Sequence, residues 1–290
     1  MMAVHSTGRY GDGTVGGAGH AIAILEASSP TGWLYGCDRD GVALQAAVRK
    51  LSSYAGRFEL RQGNYADLAD WIEPGSLDGV LLDLGISSLQ LGEAARGFSL
   101  IEEGPLDMRM DPTRGMTAAQ LVNTTGAEEL AKIFWEYGGE EKSRRIARAI
   151  EHDRPFQTTR QLAQLIERIS PRAGRKTHPA TQVFQALRIA VNDEIGSLKR
   201  GLAGAVNILR PGGRLAVITF HSLEDRVVKE FGRHLSRGYE FDGDVDVPEL
   251  RRPVPPQLKI LTRKAIKPGE AEIRDNPRSR SAQLRAYEKI

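Results

Sequence analysis

The 290-residue chain has a single cysteine, Cys37. One thiol cannot close an internal disulfide and has no second thiol with which to build a zinc site. A reducing, cytoplasmic compartment is expected. No run of about 18 apolar residues occurs, so no membrane-spanning helix is expected. The N-terminus is Gly-rich and lacks the apolar core of a signal peptide, so none is expected there either. The six histidines show no metal-ligand spacing, and no metal is expected. No segment repeats.

What remains is an ordinary globular composition, 40% hydrophobic and 27% charged. The length suits one large domain, or one domain carrying a second as an insert. The net charge of +3 hides an asymmetry. From Arg251 to Ile290 there are 11 Lys/Arg against 4 Asp/Glu, a balance of +7, and the rest of the chain is 29 against 33, a balance of −4. A basic tail on a mildly acidic body fits a polyanionic partner or a merely solubilising tail. A second basic region, Lys142 to His178, has 10 Lys/Arg against 3 Asp/Glu. Lys142, Arg144, Arg145 and Arg148 crowd one predicted helix, and Arg172, Arg175 and Lys176 crowd one loop. Arg278, Arg280 and Arg285 form a third cluster. Clusters of this kind neutralise phosphates and favour RNA over a small molecule.

The first part of the chain alternates strands and helices. Trp33 to Asp38 reads as a strand, Val42 to Leu51 as a helix, Phe58 to Arg61 as a strand, and Val80 to Leu82 as a buried strand ending at Asp83. Such alternation predicts a parallel sheet with helices on both faces. From Glu93 to Glu194 the pattern is helical, apart from Gly104 to Met116. Leu162, Leu165, Ile166 and Ile169 make one apolar stripe, and Val183, Leu187 and Val191 another. The sheet pattern then resumes. A helix is predicted over Ile195 to Leu209, a turn at Pro211-Gly212-Gly213 and a strand over Leu215 to Phe220. One more helix follows over Leu223 to Leu235, then closing strands over Leu258 to Leu261 and Ala282 to Ala286. The prediction is a doubly wound α/β domain, 1–92 with 195–290, interrupted by a helical insert, 93–194, that serves RNA recognition.

A Gly-rich loop, Asp12 to His20, follows the short first strand. In open α/β sheets, ligands bind beyond the carboxyl ends of the strands. Gly11, Gly13 and Gly16 satisfy G-x-G-x-x-G, with Asp38 about 20 residues on, as dinucleotide binders do. Charge argues otherwise. A pyrophosphate wants backbone N–H groups and no carboxylate nearby, yet Asp12 lies in the loop and Asp38 and Asp83 end strands. Three carboxylates around one crevice suit a ligand with cationic groups, such as S-adenosylmethionine. The competing reading is that each Asp caps a helix.

Several strings resemble one family: DLGISSLQL (Asp83 to Leu91), RGFSL (Arg96 to Leu100), GPLDMRMD (Gly104 to Asp111) and GGEEKSRRIARAI (Gly138 to Ile150). The series continues with KTHPATQVFQALRIAVNDE (Lys176 to Glu194), PGGRLAVITFHSLEDRVVK (Pro211 to Lys229) and NPRSRSAQLR (Asn276 to Arg285). In order and length they are similar to the ribosomal RNA small subunit methyltransferase H family. The resemblance implies a class I methyltransferase fold, a cytoplasmic enzyme, and S-adenosylmethionine-dependent N4-methylation of a cytosine in the decoding region of 16S rRNA. It also implies cofactor contacts. Ala18, Gly19 and His20 match the methionine side, Asp38 the ribose-binding acid and Tyr65 an aromatic beside the adenine. Asp83 and Gln90 match the remaining contacts. The family carries a His-x-Pro-Val segment and a helix before its first strand, where this chain has Met1 to Arg9.

Methyl transfer to an amino group asks mainly for alignment and exclusion of water. Amino-methyltransferases of DNA often carry Asp/Asn-Pro-Pro-aromatic after the fourth strand. Here that place holds Asp83-Leu84-Gly85-Ile86-Ser87-Ser88, so Asp83, Ser87 or backbone carbonyls of the loop are expected to accept hydrogen bonds from the cytosine amino group. His221 is either a substrate contact and proton acceptor or a helix-start residue, with Ser222 as N-cap and Asp225 three positions on. The expected partner is 16S rRNA in the small ribosomal subunit, and a homodimer is compatible with all of this. The alternative from another class is a ribosome-assembly factor that binds RNA without catalysing.

Overall fold

The apolar strand that ends at Asp83 lies in the middle of a seven-stranded sheet in the computed structural model, which describes every residue except 101, 172–176 and 242–245, and the side chains of all of these except 88 and 89. The strands are β1 (Arg9–Asp12), β2 (Trp33–Asp38), β3 (Phe58–Gln62), β4 (Leu77–Asp83), β5 (Leu209–Thr219), β8 (Leu258–Ile260) and β9 (Gln283–Lys289). Their order is β3-β2-β1-β4-β5-β9-β8. The first five run parallel, and β9 is antiparallel to both neighbours. The chain winds outward from β1 to β3 and restarts at β4. That leaves a topological switch point between β1 and β4, where a crevice opens beyond the carboxyl ends.

Both faces of the sheet are covered, which is why its strands read as continuous apolar runs. Along β4 and β5, Leu81 and Ala216 point to one face, and Val80, Leu82, Leu215 and Val217 to the other. The first face takes α1 (Gly19–Ala27) and α2 (Gly41–Lys50) through Ala21, Ile24, Leu25 and Ala47. The second takes α9 (Glu194–Ile208) and α10 (Ser222–Leu235) through Leu198, Leu202, Ala205 and Val228.

The chain divides into two units, Met1–Gly85 with Ile195–Ile290, and Ile86–Glu194. The second is helical: α3 (Ser88–Gly92), α4 (Ala118–Thr124), α5 (Ala127–Gly138), α6 (Ser143–Asp153), α7 (Thr159–Ile169) and α8 (Thr181–Val191). Its core joins Phe134, Ile146, Leu162, Leu165, Ile166, Val183 and Leu187, so both predicted stripes face inward. Thr117 with Gln120 and Thr158 with Gln161 close capping boxes at α4 and α7.

Two segments differ from expectation. Pro211 to Gly213 form no separate turn but a bulge within β5, where Leu77 pairs Leu209 and Gly79 already pairs Arg214, with Gly212 at φ +80°. The stretch after α10, featureless as sequence, contains a two-stranded ribbon of β6 (Tyr239–Phe241) and β7 (Arg251–Pro253).

One buried ion pair ties β9 to α10. Arg285 donates to both carboxylate oxygens of Asp225, at 2.7 and 2.9 Å. Removing one partner strands a buried charge. Arg285→Ala should therefore cost about 2–3 kcal/mol in denaturant unfolding, and a loss under about 0.5 kcal/mol, as for an exposed pair, would contradict this reading.

Candidate functional site

The first unit brings Asp12, Ala18, Gly19, His20, Asp38 and Asp83 to the carboxyl edge of β1, β2 and β4. Asp12 ends β1 and is fully buried. Its Oδ1 accepts Thr14 N at 3.0 Å, closing a tight Asx turn at the loop's entry. The Thr14 hydroxyl accepts the amide of Asp83 at 2.7 Å. Thr14 thus stitches β1 to β4 across the switch point. Sequence reasoning passed over Thr14, although Asp-x-Thr is itself an Asx-turn signal.

The loop continues through two left-handed residues, Gly16 at φ +48° and Ala18 at φ +66°. Alanine rarely adopts that conformation, and such strain gathers at ligand sites. Gly16 N donates to Asp38 Oδ2 at 2.8 Å, and Asp40 N donates to Asp38 Oδ1 at 2.8 Å. Asp38 therefore braces the loop from β2. None of the three aspartates caps a helix; Asp40 takes that role at α2 by accepting Val42 N.

The electrostatics of the edge are costly for the free protein. Asp12 Oδ2 and Asp83 Oδ1 are buried and accept no hydrogen bond. Burial pushes the Asp12 carboxyl up to about 6, against the Thr14 amide and His20, with Asp83 and Asp38 adding to the rise. Burial likewise raises Asp83 to about 6, opposed by His20, whose Nδ1 lies 3.5 Å from Asp83 Oδ2. Burial also raises Asp38, held down by the Asp40 and Gly16 amides. Orphaned carboxylate oxygens of this kind fit a cationic ligand such as an ammonium, which brings both charge and donors.

Tyr65 follows β3 at the start of a 3-10 turn, Tyr65–Asp70, beside the loop. A Cβ on Gly13 would stand 2.7 Å from Tyr65 Cβ and 2.5 Å from Leu82 Cδ2, so only glycine fits there.

Other predicted residues are engaged in helix caps. Ser87 and Gln90 belong to the helical unit, where they close the capping box of α3. Gln90 N donates to Ser87 Oγ at 3.2 Å, and Ser87 N to Gln90 Oε1 at 3.0 Å. His221, not Ser222, is the N-cap of α10. Its Nδ1 accepts Glu224 N at 3.3 Å, and Glu224 Oε2 accepts the amides of Phe220 and His221. His221 Nε2 stands 3.2 Å from Glu224 Oε1 without the alignment of a hydrogen bond. The ring is thus taken up by its own helix. Asp225, expected to close the cap, serves the Arg285 pair instead.

Arg144, Arg145 and Arg148 are all exposed on α6, whose Ile146, Ala147 and Ile150 are buried. Lys142 turns aside to Ser170. Arg278 and Arg280 are exposed in the turn Pro277–Ser281. Arg285, counted with them in sequence, is buried and leaves the cluster. Arg172, Arg175 and Lys176 lie outside the described residues.

The raised carboxylates have a consequence for stability. The folded protein holds these protons up to about pH 6, while the unfolded chain releases them near 3.8. The burial penalty is absent at low pH, grows as pH rises between those values and is complete above 6. Asp12→Asn removes its share while keeping the acceptor for Thr14. The variant should unfold at higher temperature than the parent at pH 7.5, by an amount worth on the order of 2 kcal/mol, with the gain shrinking at pH 4.5. A variant less stable at both values would count against the assignment.

The model of the MraW methylase family matches residues 1–290. Three proteins bearing the name ribosomal RNA small subunit methyltransferase H are similar over nearly their whole length. The protein of Syntrophotalea carbinolica is 51% identical over 288 residues, covering 96% of this chain and 91% of its own. That of Thermomicrobium roseum is 48% identical over 296 residues, covering 100% and 90%. That of Symbiobacterium thermophilum is 48% identical over 297 residues, covering 100% and 93%. With its strand-end carboxylates gathered at the switch point of the sheet and its whole length matched, the chain belongs to the MraW methylase family.

Proposed function

We propose that the protein transfers a methyl group from S-adenosylmethionine to the N4 amino group of a cytosine in 16S rRNA of the small ribosomal subunit. The observation that carries this is the set of three carboxylates around one Gly-rich loop, Asp12 buried and Asp38 and Asp83 partly so, with a buried oxygen of Asp12 and of Asp83 left open. In this reading Asp12, Ala18, Gly19 and His20 hold the methionine end of the cofactor. Asp38 keeps lone pairs free for ribose hydroxyls, Tyr65 lies beside the adenine, and Asp83 and Gln90 complete the set. When bound, the cofactor supplies an electrophilic methyl on a cationic sulfur.

The chain's part in the chemistry is alignment and charge. The N4 lone pair of cytosine is delocalised into the ring. An acceptor gripping the amino hydrogens localises it, and Asp83 Oδ1, buried and open, is the group for that role. The same carboxylate takes the proton that N4 gives up. Ser87, committed to the α3 cap, serves to shape the segment after Asp83, and His221 holds the start of α10. A base in a folded RNA has to be splayed out before it can reach such a site. Arg144, Arg145 and Arg148 with Arg278 and Arg280 supply phosphate contacts that position the RNA without selecting the base. The ribosomal substrate makes the cytoplasm the place of action, and no helix among the described residues is long and apolar enough to cross a membrane.

Incubation with labelled S-adenosylmethionine and small subunits lacking the modification, followed by nucleoside analysis, should yield N4-methylcytidine. Asp83→Ala should abolish the label while the protein stays folded; labelling at the parent rate would remove Asp83 from the mechanism. For the basic helix, Arg144→Ala, Arg145→Ala and Arg148→Ala combined should weaken RNA binding and flatten the slope of log affinity against log salt, by roughly 0.7–0.9 per lost phosphate contact. An unchanged slope would mean that α6 does not touch the RNA.

A further inference from the structure

Two glycines of α9 face the segment that carries Tyr65, and they differ in a way that helix formation does not explain. Gly201 and Gly204 both lie inside a 15-residue helix. Neither has a positive φ, so neither backbone requires glycine. Glycine in a helix interior costs about 1 kcal/mol relative to alanine. A Cβ on Gly204 would make ordinary contacts, 3.4 Å from Ala69 Cβ and 3.9 Å from Ala66 O. A Cβ on Gly201 would stand 2.4 Å from Tyr65 Cδ2 and 2.7 Å from Tyr65 Cε2. That is a collision with the Cδ2–Cε2 edge of the ring. The base of the same side chain lies close to the Gly-rich loop, where a Cβ on Gly13 would stand 2.7 Å from Tyr65 Cβ. One turn before Gly201, Ser197 is buried and its hydroxyl accepts Asn64 Nδ2 at 2.8 Å. Asn64 Oδ1 in turn accepts Ala66 N at 3.1 Å. Residues 64–66 are thus pinned on α9 by a hydrogen bond at one end and a missing side chain at the other.

We propose that Gly201 is a positioning residue for cofactor binding: its missing side chain is the slot that fixes the Tyr65 ring between α9 and the Gly-rich loop, at the angle the adenine needs. The proposal rests on the reading of Tyr65 as the adenine neighbour. Gly201 touches no cofactor itself. It acts through the ring, so its effect belongs to cofactor affinity and not to the methyl-transfer step.

The test is a double-mutant cycle on the full chain, read by titration with S-adenosylmethionine and S-adenosylhomocysteine, with thermal unfolding followed alongside. Gly201→Ala should weaken both ligands about tenfold, equivalent to about 1.4 kcal/mol, and raise the cofactor KM with kcat nearly unchanged. Gly204→Ala, with the same gain in helix propensity and no collision, should bind as the parent does. In a Tyr65→Ala background, Gly201→Ala should cost no further affinity, since the ring it displaces is gone. Parent-like binding by Gly201→Ala overturns the proposal, and so does an equal loss in the Tyr65→Ala background, which would trace the effect to the helix. If Tyr65→Ala alone binds both ligands as tightly as the parent, the adenine reading fails and takes the proposal with it. That outcome is distinct, because it appears in the Tyr65 variant and not in the cycle.

Discussion

Burying carboxylates with no donor on them is the constraint around which the first unit is arranged. An ionised group out of water is expensive unless it is paired, yet Asp12 and Asp83 each keep a buried oxygen open. Among the described residues no lysine or arginine is paired with either of them. The fold spreads them over two neighbouring parallel strands and places one half-exposed histidine, His20, within 3.5 Å of Asp83. The partial positive ends of the α1 amides lie at the same edge. In the proposed reading this is a preorganised anionic site, kept at the expense of the free protein, that repays its cost when a cation arrives. Such trade-offs are expected where function needs a site that stability alone would remove.

The rest of the unit serves to hold that edge still. Asp38 ties the loop to β2, and Thr14 ties the loop to β4. Gly13 lets Leu82 and Tyr65 close in from the sides. The strain at Ala18 is tolerated because the residue is buried and its flanks are fixed. Each device lies at the carboxyl edge and none at the opposite end of the strands. A doubly wound sheet concentrates its irregular backbone there, and that is where chemistry can be placed without disturbing the core.

Much of this was legible in the chain itself. The strands of the sheet interior were visible because burial on both faces leaves runs such as Val80-Leu81-Leu82. The helices of the second unit were visible because each buries one stripe. Asp38 and Asp83 stood out because they end apolar strands, and Asp12 because it lies in a Gly-rich loop. What stayed hidden has a common cause, which is that its partners are far apart in sequence. Arg285 reads as part of a basic cluster until Asp225, sixty residues away, is found against it. The β6–β7 ribbon has three residues a side, and the alternation of Tyr239-Glu240-Phe241 is too short to announce it. By type Ser222 is the expected N-cap of α10, and only the position of Glu224, three residues after His221, gives that place to His221. Thr14 becomes important only when the Asp83 amide is seen to need an acceptor.

The acidic residues at the carboxyl edge of the sheet can be sorted by what is bound to their oxygens. Glu224 is nearly as buried as Asp12, but its Oε2 holds two backbone amides of its own helix start. Asp225 gives both oxygens to Arg285. These two are closed, and their work is to fix β5, α10 and β9 relative to one another. Asp38 is half-open: each oxygen accepts one amide and keeps a lone pair for a neutral hydroxyl. Asp12 and Asp83 are open. Residue type and burial do not by themselves single out the carboxylates of the proposed cofactor site in this chain. The unfilled oxygen does: Asp12 and Asp83 each keep one without a donor, Asp38 keeps a lone pair on each of its two, and Glu224 and Asp225 give theirs to partners within the protein.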